Sequence, residues 1–160
     1  MTTKIFSPAG VNVADVSSSA GFELGTEAQG QDGSKWVYVL ADEAITQYNA
    51  VAIAKDFGAS KITKTLVDAG SQVGVAQVAF AAGQYGWVAT KGGNDLLLVT
   101  CKNGCQPGVA LYTCATSGYL DDTAASQTLV NGIVLTDTAT SSGAAEQCRI
   151  FTDMFPTPTP

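Results

Sequence analysis

Between Ser71 and Gly92 the chain reads SQVGVAQVAFAAGQYGWVATKG, and this stretch restricts the possible folds more than any other. Val73, Val75 and Gln77 alternate there with Gly74, Ala76, Val78 and Phe80, so small or apolar residues fill both phases of a period-2 pattern. A strand of that kind is covered on both faces. After Ala82-Gly83 the alternation restarts, with Tyr85, Trp87 and Ala89 against Gly86, Val88 and Thr90. The stretch therefore reads as two strands joined by a tight turn, with its largest aromatics on one face that needs a partner layer. Gly70, Gly74, Gly83, Gly86, Gly92 and Gly93 remove side chains where strands bend or backbones approach closely, as at the corners of small barrels. The expected fold class is all-β: a single compact β-barrel or β-sandwich-like domain of short antiparallel strands.

The rest of the chain supports that expectation. Trp36 to Ala41 alternates aromatics with valines, Ala50 to Ala54 carries its branched residues on one face, and Asp56-Phe57-Gly58 turns the chain. Further strands are expected at Leu96–Cys101, Val109–Thr113, Leu129–Leu135 and Glu146–Phe151, with turn signals about every 8 to 14 residues. The best helical segment, Thr63 to Ala69, is too short to carry a domain. Residues 1–34 are rich in Ser, Gly, Ala and Thr and read as an extended N-terminal arm, ordered on a partner and ending in the Asp32-Gly33 hairpin signal. Residues 35–153 form the β domain, within which Thr136 to Ala145 reads as a mobile loop. Residues 154–160 form a Pro-rich C-terminal tail in polyproline conformation.

Charge narrows the partners. Only 14% of residues are charged, against about a quarter in ordinary domains, so part of the surface is expected to be covered. The net charge is −6, and the few lysines are scattered, which excludes a phosphate-binding stripe and argues against nucleic acid as partner. No apolar run approaches the roughly 20 residues that span a bilayer, and no basic segment leads into an apolar one. A chain neither membrane-spanning nor Sec-exported is expected. Histidine is absent, which removes the usual general base and the commonest metal ligand.

Three constellations remain to be weighed. Cys101, Cys105, Cys114 and Cys148 allow a zinc site, a disulfide such as Cys101–Cys105 or Cys105–Cys114, or free buried thiols; reduced thiols are the default without an export signal. The acid pairs Asp42-Glu43 and Asp121-Asp122 read as solvated turn residues, because adjacent strand residues point to opposite faces and do not share a proton. Trp36, Tyr38, Tyr85 and Trp87 read as core aromatics, with a sugar-binding face as the alternative. No catalytic residue, metal or cofactor is assigned, and the protein is not expected to be an enzyme.

Some of these pieces occur in a familiar order. Leu24-Gly25-Thr26, Asp32 to Val39, Ala44-Ile45, Val73 to Ala76, Tyr85 to Val88, Val109 to Thr113 and Thr116 to Asp122 give residues 22–135 a pattern that resembles the capsid decoration, or cement, proteins of tailed bacteriophages. The four cysteines are not part of that pattern. The resemblance implies a non-enzymatic virion protein, made in the host cytoplasm, that binds the outer face of the assembled head and stabilises the shell. Its partners would be the major capsid protein and itself, as a homotrimer at local or quasi-threefold positions. Ile5, Phe6, Phe22 and Leu24 of the arm, with Phe155 and Pro156 of the tail, are the expected capsid contacts. The alternative is a head-fibre or tail-adhesin component that contacts host glycans.

Overall fold

The computed structural model describes residues 11–94 and 97–151. The chain forms β1 (Glu27–Gln29), β2 (Lys35–Ala41), β3 (Ala50–Ile53), β4 (Gly58–Lys61), α1 (Lys64–Asp68), β5 (Gln72–Val75) and β6 (Tyr85–Lys91). Its second half adds β7 (Leu97–Thr100), β8 (Leu111–Thr113), β9 (Leu120–Asp121), β10 (Leu129–Val130), β11 (Ile133–Leu135) and β12 (Ala145–Ile150). The fold is all-β, as the alternation patterns require.

Strands β2, β4, β3, β5 and β6 pair in that order, and β6 pairs back to β2, which closes a five-stranded barrel. All pairs are antiparallel except β2 with β4. The period-2 pattern divides each strand between two cores. Val37, Val39, Ala41, Val51, Ile53, Ala59 and Val88 fill the barrel, and Ile45, Ala76 and Phe80 join the same cluster. Trp36, Tyr38, Val73, Val75, Trp87 and Ala89, in the opposite phase, face outward and are buried all the same. The partner layer that Trp87 needs is real: the outward residues pack in one cluster with Leu97, Val99, Leu111, Leu120 and Ile133 of the second half.

That layer consists of two three-stranded sheets, β10-β8-β9 and β11-β12-β7, joined by a bridge between Cys101 and Leu120. Backbone bonds stitch it to the barrel, from Thr100 N–H to Tyr48 O, from Ala50 N–H to Gly118 O and from Gly92 N–H to Ile150 O. The Gln77 side chain adds two more by donating to Leu98 O and accepting from Leu98 N–H. Gly118 has a φ of +85°, and a Cβ there would meet the Asn49 side chain at 2.7 Å, so glycine is required at this crossing.

Four expectations change. Ser71–Gly92 is not a tight hairpin: β5 ends at Val75, and β5 and β6 meet only at Val75 and Ala89. Residues 76–84 instead lead away from the ladder, with Phe80 pairing Ile45, and the main partner of β6 is β2. Leu129–Leu135 is two strands, because Asn131-Gly132 turns the chain between β10 and β11. The loop 136–144 is pinned, since Ala139 is buried and exchanges backbone bonds with Gly104 and Cys105, while Gly143 donates to Cys101 O.

The fourth change concerns the arm. Residues 11–34 belong to the folded body: Val13 and Ala28 are buried, and β1 pairs with β2 through a turn at Gly30–Ser34. The Asp32-Gly33 hairpin signal is therefore the turn of a true hairpin, with Gly33 at φ +87°. Few large residues suffice for this segment because β1 combines ladder pairing with small buried side chains such as Ala28. Residues 1–10 and 152–160, with the tail and the expected contacts Ile5, Phe6, Phe155 and Pro156, lie outside the described residues.

Candidate functional site

The returning segment 11–22 crosses the outer wall of the barrel and encloses a hollow of about 250 Å³ against it. Backbone bonds between Ser17 and Tyr85 hold the crossing in place. Tyr38 and Trp87 are cross-strand partners on β2 and β6, and their rings meet at 5.0 Å between centroids. Tyr85 stacks on Tyr38 at 6.2 Å. Phe22 closes the group by meeting Tyr38 at 5.4 Å and Trp87 at 5.3 Å, both edge to face. These geometries match the quadrupole preference of aromatic pairs.

Exposure separates the four rings. Tyr38 and Trp87 are 4% and 2% exposed and serve as wall, Tyr85 is partly exposed, and Phe22, at 43%, is the most exposed of the four. The polar side of the hollow comes from Asn12, Asp15, Ser17 and Ser19. Asn12 Nδ2 donates to Asp15 Oδ1 at 2.6 Å, Asn12 Oδ1 accepts from Ala14 N–H, and Ser17 Oγ accepts from Ser19 N–H. Gly21 N–H donates to the Tyr38 hydroxyl at 3.0 Å. Part of the rim's hydrogen-bonding capacity is thus spent within the rim.

Of the expected contact residues, Phe22 stands at this hollow, whereas Leu24 packs against the large core and is only partly exposed. The aromatics read as core are core, apart from the partly exposed Tyr85. Sequence reasoning missed Asn12, Asp15, Ser17 and Ser19, because they fall in a Ser/Ala-rich stretch with no pattern of its own.

A second cluster lies in the layer. Cys105, Asp121 and Asp122 bring three possible ligand atoms within 4.8 Å of one another. Asp121 is not the solvated turn residue that the sequence suggests; it is a buried end residue of β9. The chain bends after it, so the opposite-face rule for neighbouring strand residues lapses and Asp122 comes round to the same side. The cluster nevertheless carries its own cation. Lys102 Nζ bonds Asp121 Oδ2 at 3.0 Å, and Gln106 N–H bonds Asp122 Oδ2 at 3.0 Å. Burial pushes the Cys105 thiol above its ordinary pKa. Both carboxylates are thus engaged by groups of the chain itself.

All four cysteines are free and buried. Burial also raises the Cys101 thiol, and pushes the Cys148 thiol up to about 12. At the other acid pair, Glu43 accepts from Lys61 N–H and bridges Lys61 Nζ at 3.3 Å. Asp42 is shifted upward, by desolvation first and then by Asp56 and Glu43. None of these groups joins a nucleophile to a base among the described residues. No described helix is long and apolar enough to cross a membrane. Comparison with protein-family models and with curated proteins returns no match.

Proposed function

We propose that this chain is a decoration protein of a tailed bacteriophage, which binds the outer surface of the assembled head and stabilises the shell of major capsid protein. The observation that carries the reading is Phe22: a large apolar side chain in the segment expected to contact the shell, held 43% exposed by the rings beneath it rather than folded into the core. A rigid aromatic presented in this way has the character of an interface anchor. Low surface charge suits wide burial, and a net charge of −6 suits an outward position away from packaged DNA. A protein that binds the assembled shell and not its free subunits stabilises the shell by mass action, without any chemistry. Homotrimers at threefold positions on the virion surface are part of the same reading.

The test is co-sedimentation of the purified protein with expanded shells of its phage. Saturation at a fixed ratio to shell subunits is expected, and the affinity should fall on Phe22→Ala. A truncation that probes the N-terminal segment has to stop at residue 10, because residues 11–30 supply buried parts of the body. Wild-type protein that stays in the supernatant at every concentration sinks the proposal.

The aromatic hollow favours a second reading, a fibre or adhesin component that holds a host glycan. A sugar-stacking platform needs an open ring face, however, and Trp87 is 2% exposed. Only Phe22 and Tyr85 have accessible surface to offer. Glycan-array hits that vanish on Phe22→Ala would select this reading over shell binding.

A further inference from the structure

The hollow under Phe22 has a charge character that shell binding does not use. Among the described residues, four aromatic side chains and one carboxylate, Asp15, line it, and no lysine or arginine does. Aromatic ring faces are negative, and they attract cations most strongly where water is partly excluded. The Asp15 carboxylate adds a full negative charge at the rim of a protein whose net charge is −6.

We propose that this hollow is a receptor for the guanidinium group of an arginine side chain presented by a protein partner. The inference goes beyond the shell-binding reading and does not require it. Three candidate occupants are separated by charge and by what each can donate. A neutral sugar could hydrogen-bond the rim but would leave the combined negative character of the ring faces and Asp15 unmatched. A quaternary ammonium would meet the rings but could donate nothing to Asp15. A guanidinium does both: its plane lies on Phe22 or Tyr85 while its N–H groups reach the carboxylate. A volume of about 250 Å³ admits one such group with the end of its side chain, entering past the half-exposed Phe22.

The experiment is an NMR titration of the full chain with N-acetyl-arginine methylamide, read at the Trp87 indole and the Phe22 ring. Saturable shifts at both rings are expected. Phe22→Ala should weaken binding by roughly tenfold, as should Asp15→Asn, which should also remove its salt dependence. Both side chains are exposed, so unchanged resonances from the barrel interior would establish that the variants fold. Tetramethylammonium and methyl glycosides serve as competing probes. Tighter binding of tetramethylammonium would overturn the guanidinium assignment, and binding of a glycoside alone would replace it with a glycan site. Absence of shifts with the arginine probe would refute the proposal outright, whether or not the protein sediments with shells.

Discussion

The barrel and the layer that covers it are built on different terms. Barrel strands β2 and β6 run for seven residues each and are paired in register over nearly their whole length, so the ladder closes on itself with no free edge between them. The layer is assembled from strands of two to six residues, in two small sheets. Short ladders of that kind do not stand alone. The layer depends on burying Leu97, Val99, Leu111, Leu120 and Ile133 against the barrel's outward residues. The cysteines follow the same division, since all four belong to the layer and none to the barrel. Closure through hydrogen bonds gives a continuous wall, and apolar contact, with a few hydrogen bonds across the seam, then recruits loosely patterned chain onto it.

If the layer stands only on that wall, the seam between them is where damage should be greatest. Trp36 is 1% exposed, lies in the shared core, and donates its indole N–H to Ser34 Oγ at 2.9 Å. Trp36→Ala should cost about 3–5 kcal/mol in urea unfolding, by lost burial and the cavity left behind. Loss should still occur in a single transition. Two separate transitions in the wild-type protein would show that the layer folds independently and would break the comparison. Glycine substitutions sharpen it next. At Gly74, inside the barrel, a Cβ would meet Val88 Cγ1 at 2.5 Å and Ala89 O at 3.1 Å, so Gly74→Ala should cost about 1–3 kcal/mol through overpacking. At Gly104, in the layer, a Cβ meets nothing and only the φ of +94° objects, so Gly104→Ala should cost about 1 kcal/mol. Equal losses at the two sites would mean that the barrel interior yields as easily as a loop.

The same division decides what could be read from sequence. Trp36 to Ala41 and Tyr85 to Thr90 announce their strands because long, regular ladders impose strict alternation, and the two pair with each other as β2 and β6. Thr63 to Ala69 likewise contains α1, with Thr63 as its N-cap. Closure was not legible, since it depends on register between strands some fifty residues apart. Nor was the course of residues 76–84, where Ala76, Val78 and Phe80 keep a strand-like period while Phe80 leaves the ladder to pair with Ile45. In the layer, Asp121 looked solvated because nothing in a two-residue strand signals that it is buried beside Lys102. The hollow was half visible: its aromatics carry a pattern, whereas Asn12 and Asp15 become a rim only because Ser17 pairs with Tyr85.

Alkali should distinguish the two regions because thiols occur in only one. Burial raises Cys101, Cys105 and Cys148, the last to about 12, from a starting value of 9.0. Below pH 9 each thiol is protonated in the folded and unfolded chain alike, so it leaves stability unchanged. Above pH 9 the unfolded chain releases the proton first, and stability should fall until the folded pKa is reached, by about a kcal/mol per pH unit for each thiol. Urea midpoints should be flat from pH 7 to 9 and decline above that, and Cys148→Ala should make the decline shallower. Amide exchange should show protection lost first in β7 and β12. Simultaneous loss in β2 and β6 would mean that layer and barrel open as one unit.

The smallest effect belongs to the polar latch across the seam. Helix α1 lies between β4 and β5 of the barrel, and its Lys64 Nζ reaches both Asp68, at 2.7 Å, and Thr128 Oγ1 beside β10, at 3.0 Å. Thr128 in turn donates to Asp68, and its backbone N–H and carbonyl are bound to Thr113 of β8. The Lys64 hydrogen bond, followed by that from Thr128, holds the Asp68 carboxyl below its usual range. A depressed pKa contributes stability that is present above the unfolded value of 3.8 and lost as the pH falls through the folded one. Solvent screens so exposed a pair, so the contribution to global stability is slight. The carboxyl titration of Asp68 is the sensitive readout. Lys64→Met should return its midpoint towards 3.8, and Thr128→Val should do so to a lesser degree. Exchange at Val130 should quicken in both variants while that at Val39 stays unchanged. If Val39 quickens equally, the latch belongs to the global fold, and the layer is not the separately recruited element that its short strands imply.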